Sequence, residues 1–191
     1  MLNSNNWNII LASKSPRRRQ LLEQLGYLFT QRSKDTDENF SNKMPQREVA
    51  EYLSKKKAAA FIGEIRENDL IIASDTIVLI ESEILNKPSN DLEAFEMLTK
   101  LSGKRHEVIT GVCLKSKEKE VSFSVSTSVF FKQLENQEIN YYIDKYQPFD
   151  KAGAYGIQEW IGLIGVNKIE GSFYNVMGFP AKAVYEAIER F

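Results

Sequence analysis

Short apolar runs separated by polar turns dominate the first half of the chain. Residues 8–12 (NIILA) and 70–80 (LIIASDTIVLI) have the length and the apolar character of buried β-strands. The second run is interrupted by the polar residues 74–76. Residues 84–85 follow it closely enough to predict a hairpin partner for this strand.

Helical spacing of apolar residues, together with start and stop signals, predicts five helices. In the first one, Ser15 suits the N-cap, Pro16 suits the first helical position and Gly26 suits the end. The same reasoning predicts the others over residues 45–61, 92–101, 136–146 and from 180 onward.

The remaining segments are predicted to be strands or loops. Residues 108–114 and 121–131 alternate as strands, and residues 161–169 form an apolar run that also predicts a strand. Polar or glycine-bearing segments predict loops over residues 30–44, 148–158 and 171–178. Because strands and helices alternate, though not strictly, we expect an α/β fold with a mixed central sheet and flanking helices.

Composition excludes several classes of protein. The formal net charge of −1 over 191 residues gives no indication of binding to nucleic acid or to an anionic membrane. The single cysteine, Cys113, rules out an internal disulfide. The first residues lack the basic and apolar regions of a signal peptide, and no apolar run approaches the roughly 20 residues of a membrane span. We therefore expect a cytoplasmic protein that binds neither nucleic acid nor membranes.

A cationic turn between the first strand and the first helix is the first candidate for chemistry. Residues 12–19 (ASKSPRRR) place Arg17 and Arg18 in the first turn of a helix, where unpaired N–H groups and the helix dipole already favour an anion. Arginines there oppose the dipole, and a bound phosphate would relieve that conflict. The alternative is a capped helix with a solvated basic patch.

A carboxylate within an apolar strand is the second candidate. Asp75 lies among residues that favour burial, and an unpaired buried charge is costly, so this side chain needs a cation, a metal or solvent beside it. Such a group is a candidate general base. The alternative is a carboxylate at a strand end that bonds to backbone.

Three weaker candidates complete the set. Lys56 shares helical spacing with Val49 and Leu53, so it points either into a cleft or back to water, whereas Lys55 and Lys57 are predicted to face solvent. Lys87 follows the hairpin. Gln158 ends a glycine-bearing loop, and its amide can pair with a base edge. His106 is the only histidine, which excludes a histidine-cluster metal site.

Six segments taken together resemble the Maf family of nucleotide pyrophosphatases. They are LASKSPRR, ASDTIVL, ILNKP, LSGKRHEVITGV, DKAGAYGIQ and IEGSFYNVMGFP, which occur in the family's order and cover nearly the whole chain. The resemblance implies a single Maf-like domain over residues 1–191, with a Maf/ITPase-like fold of two lobes around a cleft. It also implies a homodimer and a divalent metal cofactor, Mg or Mn.

The resemblance also implies roles for individual residues. It assigns the general base to Asp75, and metal binding to Asp75 together with Glu38. The residues that match substrate-binding positions, or that we expect to recognise the base, are Arg17, Arg18, Lys56, Thr76, Lys87 and Gln158.

Two positions favour dTTP and UTP as the substrates, hydrolysed to the nucleoside monophosphate and pyrophosphate. The Asp75-Thr76 pair and Gln158 resemble the subfamily with this activity, whereas the 7-methyl-GTP subfamily typically has Asp-Gln and Ser-Glu at these places. Ser74 and Asn86 depart from the usual Ala and Gly. The alternatives are a 7-methyl-GTP pyrophosphatase, a non-catalytic nucleotide-binding regulator of cell division, and an interaction domain whose polar motifs only cap helices.

Overall fold

The computed structural model describes residues 7–191, which divide into two compact units. Unit 1 contains the residues up to Asp75 together with Thr110–Val125 and Gly178–Phe191, and unit 2 contains Thr76–Ile109 and Ser126–Met177. The single domain stays a prediction. The expectation about a signal peptide concerns mainly residues 1–6, which lie outside the described residues.

Seven strands and seven α-helices are found in the part of the chain that the structure describes. The strands are β1 (Asn8–Ala12), β2 (Phe29–Arg32), β3 (Asp69–Ile80), β4 (Glu83–Leu85), β5 (Arg105–Lys115), β6 (Glu120–Phe131) and β7 (Val166–Glu170). The helices are α1 (Pro16–Gln24), α2 (Val49–Ala59), α3 (Asp91–Leu101), α4 (Asn136–Tyr146), α5 (Trp160–Gly165), α6 (Phe173–Val176) and α7 (Ala181–Glu189). Between residues 7 and 191, no helix is both long and apolar enough to cross a membrane.

All seven strands belong to one sheet, in the order β2–β1–β3–β5–β6–β7, with β4 paired to β3. β1 is parallel to both β2 and β3, whereas β4 is antiparallel to β3 and β7 is antiparallel to β6. The sheet is therefore mixed. The predicted α/β class, with a mixed central sheet and flanking helices, is confirmed.

Unit 1 is built on the parallel strands β2, β1 and β3. Its apolar core includes Ile10, Ile71, Phe61 and Cys113, all of which are buried. Helix α2 approaches β5 so closely that a Cβ on Gly111 would lie 2.2 Å from the carbonyl carbon of Ala50. Only glycine allows this contact, which fixes how far α2 stands from the strand.

Unit 2 has its own core under α3 and α4. Leu98, Leu101 and Tyr142 are fully buried there. His106 packs edge-on against Phe131 and Tyr155, with ring centroids 5.2 and 5.4 Å away. Tyr155 hydroxyl lies 2.7 Å from His106 Nε2.

Several sequence predictions were wrong. Residues 30–32, predicted as loop, belong to the edge strand β2, because an edge strand with one neighbour tolerates polar side chains and shows no apolar pattern. The predicted strand over 161–169 is helix α5 followed by β7, since a short apolar run does not distinguish the two states. Residues 171–178 include the short helix α6, and β5 is buried almost throughout instead of alternating.

The interior position of His106 predicts a pH dependence of stability. Its ring is 1% exposed, and burial lowers the pKa of His106 to about 3 from its ordinary 6.5. Between these two values the unfolded chain binds a proton that the native protein does not, so stability falls as the pH falls below about 6.5. Between pH 7 and pH 5 this one group should remove about 2 kcal/mol.

Replacing this residue isolates its contribution from that of the carboxylates. We expect His106→Gln, which keeps a hydrogen-bonding group for Tyr155, to lose less stability than the wild type between pH 7 and pH 5. Urea unfolding at both pH values measures the difference. Equal losses in the two proteins would mean that His106 is protonated in the native state.

Candidate active site

The turn from β1 into α1 is held by its own polar side chains. The amide N–H of Ser15 donates to Ser13 Oγ at 3.1 Å, and the amide N–H of Arg18 donates to Ser15 Oγ at 3.4 Å. The predicted start of the helix, with Ser15 as N-cap and Pro16 next, is confirmed. The first turn has no acidic residue, so nothing in it offsets the positive end of the dipole.

Arg18 ties this turn to two other parts of unit 1. Its Nε donates to the carbonyl oxygen of Gly178 at 2.9 Å, and Nη1 donates to the carbonyl oxygen of Ser74 at 2.7 Å. Burial lowers the pKa of the Arg18 guanidinium, the charge of Asp75 opposes that shift, and Arg17 and Glu38 have smaller effects of opposite sign. Arg18 therefore brings a cation beside Asp75 and binds the backbone of Ser74, the residue that precedes this acid.

Asp75 itself pairs with a lysine of α2. Its side chain is 13% exposed, and Lys57, at 18%, donates from Nζ to Asp75 Oδ1. The same Nζ lies 2.7 Å from Glu38 Oε1. The acidic strand residue and the cationic turn are therefore neighbours in unit 1, and Lys57 and Glu38 join them. This cluster is called the acid–cation cluster below.

The prediction that Lys57 faces solvent was wrong. Ala50, Ser54 and Ala58 are buried together with the larger apolar residues of α2, which places the centre of the buried face at Lys57. The spacing of the large apolar residues Val49 and Leu53 indicated only one edge of this face, and Lys56 lies at that edge. Counting the small residues as buried would have found Lys57 from the sequence.

Lys56 contacts a different part of the chain. Its Nζ lies 2.7 Å from Asp37 Oδ2 and donates to the carbonyl oxygen of Asn39 at 3.2 Å. The structure thus places Lys56 on the acidic segment before α2, and its predicted role in substrate binding stays a prediction.

Three predicted residues lie in unit 2. Thr76, half-buried, follows Asp75 in β3, whereas Lys87 and Gln158 are exposed. A backbone hydrogen bond joins the segments that carry Lys87 and Gln158: the amide N–H of Gly153 donates to the carbonyl oxygen of Asn86 at 3.1 Å.

The acid–cation cluster offers two carboxylates to a metal. Within residues 7–191, His, Cys, Asp and Glu side chains form no group of three that could hold an ion. Magnesium is commonly bound by one or two carboxylates and completes its shell with water and substrate phosphates. Asp75 and Glu38, which share Lys57 as a partner, suit that mode.

The fold is one that a solved structure shares. The Ham1 protein of Staphylococcus aureus aligns with a TM-score of 0.52 at 14% sequence identity, over 94% of this chain and 99% of that chain. Fold and site together therefore define an α/β protein in which a carboxylate on a sheet strand stands beside a cationic helix start.

Sequence comparison then gives the family. The family model for Maf-like proteins matches residues 8–191, and the chain belongs to this family. A protein of Parabacteroides distasonis named dTTP/UTP pyrophosphatase is 47% identical over 99% of this chain and 98% of its own length. A protein of the same name from Cytophaga hutchinsonii is 51% identical, over 97% of this chain and 84% of its own. The resemblance found in the six segments is confirmed.

Ser74, where the family usually has alanine, generates a stability prediction. Its side chain is fully buried, and Ser74 Oγ has no hydrogen-bond partner among the described residues. A buried hydroxyl without a partner costs about 1–3 kcal/mol, so Ser74→Ala should stabilise the protein by about 1 kcal/mol.

Ser54→Ala is the matched control. Ser54 is equally buried, but its Oγ donates to the carbonyl oxygen of Glu51 at 2.7 Å, so this change should bring no gain. Thermal and denaturant unfolding compare the two variants. If Ser74→Ala destabilises the protein as Ser54→Ala does, the Ser74 hydroxyl has a partner.

Proposed function

We propose that this protein is a nucleoside triphosphate pyrophosphatase that hydrolyses dTTP and UTP to the nucleoside monophosphate and pyrophosphate. The observation that carries the proposal is the acid–cation cluster, in which Asp75 lies with Lys57 and Arg18 next to a helix start. The choice of substrates is supported by relatives named dTTP/UTP pyrophosphatase, at 47% and 51% identity over nearly the whole chain.

The cationic turn suits the triphosphate. The N-terminus of α1 supplies N–H groups and partial positive charge, and Arg17 adds a guanidinium in the first turn. Arg18 is engaged by carbonyl oxygens of Ser74 and Gly178, so it contributes mainly charge and the placing of β3. We assign the direct phosphate contacts to Arg17, Lys57 and Lys87.

Asp75 suits the role of general base. Water attacks the α-phosphorus, Asp75 takes the proton from that water, and the bond from the α-phosphorus to the bridging oxygen breaks as pyrophosphate leaves. Lys57 holds the carboxylate, and its ammonium is close enough to neutralise charge that develops on the phosphates.

A divalent cation, Mg or Mn, belongs to this proposal. Asp75 and Glu38 are the residues that would hold it together with phosphate oxygens. When bound, such an ion polarises the phosphoryl group and neutralises the departing pyrophosphate. Since both carboxylates contact Lys57, a metal ion would compete with this lysine for them.

Base recognition is assigned to Gln158 and Thr76, with Lys87 as a further phosphate contact. An amide both donates and accepts, so Gln158 can pair with a pyrimidine edge. A purine would leave such polar groups unpaired, which is a strong basis for rejection. A homodimer and a cytoplasmic location remain predictions that accompany this proposal.

The alternatives have less support. Phosphate binding alone does not require a carboxylate among the cations, so the acid–cation cluster argues against a regulator that only binds nucleotides. No observation favours 7-methyl-GTP as the substrate, and the relatives reported above are named dTTP/UTP pyrophosphatase. A panel of triphosphates assayed for pyrophosphate release, with and without Mg or Mn, tests the proposal. Activity confined to methylated guanine, or absent altogether, would reject it.

The general-base role predicts a specific defect. We expect Asp75→Asn to lose roughly 100-fold or more in turnover, the scale of general-base catalysis, while dTTP binding measured by calorimetry persists. Asp144→Asn, at an exposed position of α4, is the control and should match the wild type. Near-normal turnover of Asp75→Asn would remove Asp75 from this role.

The roles proposed for the neighbouring lysines of α2, Lys56 and Lys57, lead to competing predictions. Lys57→Gln removes a charge-assisted hydrogen bond to Asp75, which corresponds to a loss of roughly 10- to 100-fold in kcat/KM. Lys56→Gln removes contacts to Asp37, Asn39 and the ring of Tyr52, none of which involves Asp75, so its loss should be smaller. Steady-state assays with dTTP rank the two variants. A larger loss in Lys56→Gln would instead support the role that the family resemblance gives to Lys56.

A further inference from the structure

Glu159 directly follows Gln158, the residue to which the proposed function gives base recognition. Its side chain is 19% exposed, and both carboxylate oxygens are engaged. Tyr142 donates its hydroxyl to Oε2, and Lys151 Nζ lies 3.1 Å from Oε1. Tyr142 is fully buried and Lys151 is only 8% exposed, so their positions are set by packing. The carboxylate of Glu159 is therefore held in one place.

The backbone of this segment is held as firmly. The amide N–H of Gly156 donates to the Tyr142 hydroxyl at 3.0 Å, and Tyr155 hydroxyl lies 2.7 Å from His106 Nε2. Ala154 has a φ of 58°, in the left-handed region that residues with a Cβ rarely adopt. Such a backbone persists only where its surroundings determine it. These contacts anchor residues 154–156 to the interior of unit 2.

Gly156 leaves open a small space that both side chains approach. A Cβ at this position would lie 2.9 Å from Gln158 Nε2 and 2.9 Å from Glu159 Oε2. Because both atoms lie 2.9 Å from one point, the Gln158 amide nitrogen is no more than about 6 Å from the Glu159 carboxylate. A carboxylate attracts the N–H side of an amide and repels its oxygen. The charge on Glu159 therefore favours the rotamer in which Nε2 faces it and Oε1 points away.

The orientation of this amide decides which pyrimidine it can read. Uracil and thymine present an N–H donor beside carbonyl acceptors, whereas cytosine presents a ring nitrogen acceptor beside an amino donor. A glutamine amide fits either edge, because rotation by half a turn exchanges its donor and its acceptor. An amide that rotates freely would accept both bases, and an amide held in one orientation discriminates between them.

We propose that Glu159, held by Tyr142 and Lys151, is a positioning residue that fixes the orientation of the Gln158 amide and so sets the selectivity for uracil and thymine over cytosine. The inference rests on the proposed function. It concerns the choice among pyrimidine nucleotides and leaves the hydrolytic chemistry to the acid–cation cluster.

The experiment measures kcat and KM for UTP, dTTP and CTP in the purified full-length protein. Glu159→Gln keeps the size of the side chain and removes its charge. We expect the ratio of kcat/KM for UTP to that for CTP to fall about tenfold, the equivalent of one hydrogen bond, mainly through KM for UTP. The kcat for UTP should stay close to that of the wild type, since Asp75 and Lys57 are unchanged.

A double-mutant comparison separates positioning from a general loss of stability. If Glu159 acts through Gln158, then Glu159→Gln should not change the ratio further in a Gln158→Ala protein. Tyr142→Phe, which removes the hydrogen bond to Glu159 but keeps the charge, should lower the ratio less. Glu96→Gln, at an exposed position of α3, is the matched control and should leave the ratio unchanged.

The outcomes distinguish this inference from the proposed function. An active Glu159→Gln enzyme with the wild-type ratio overturns the inference alone, and so does a further fall of the ratio in the Gln158→Ala background. If Glu159→Gln does not fold, an unchanged ratio in Tyr142→Phe overturns it. A wild-type protein that releases no pyrophosphate from UTP or dTTP overturns the proposed function together with the inference.

Discussion

The ion pair between Lys57 and Asp75 is the interaction on which the arrangement of unit 1 depends. A carboxylate in an apolar strand is costly unless a cation accompanies it. Helix α2 supplies that cation, and Gly111 of β5 lets this helix approach the sheet closely, because a side chain there would meet the backbone of Ala50. Arg18 then joins the start of α1 to the carbonyl oxygen of Ser74. The ion pair and this hydrogen bond therefore join helix α2, the turn before α1 and strand β3 around one acid.

Unit 2 keeps its polar groups in place by a different means. Tyr142, Lys151 and Glu159 form hydrogen bonds and ion pairs around a segment with left-handed residues, and His106 stays neutral against Tyr155. These buried groups support a loop that carries an exposed amide. A rigid support of this kind suits recognition, because a side chain with one orientation discriminates better than one with several.

Much of the fold followed from local patterns. β1, the start of α1, the β4 hairpin and α4 lie where the spacing and the capping residues placed them. The failures came where local signals are weak. β2 is an edge strand with polar side chains, and residues 160–165 are a short helix whose apolar run resembles a strand. The rotation of α2 was misjudged because alanine and serine give little hydrophobic signal although they pack well.

The sequence by itself determined the α/β class, the family and the two features that carry chemistry, namely the cationic turn and the acid in β3. These depend on residue order and short-range spacing, which the chain displays directly. Only the tertiary structure decided that Lys57 contacts Asp75, that carbonyl oxygens engage Arg18, and that Tyr142 and Lys151 hold Glu159. Such pairings join residues far apart in the sequence or depend on how a helix is rotated, and packing of the whole chain sets both.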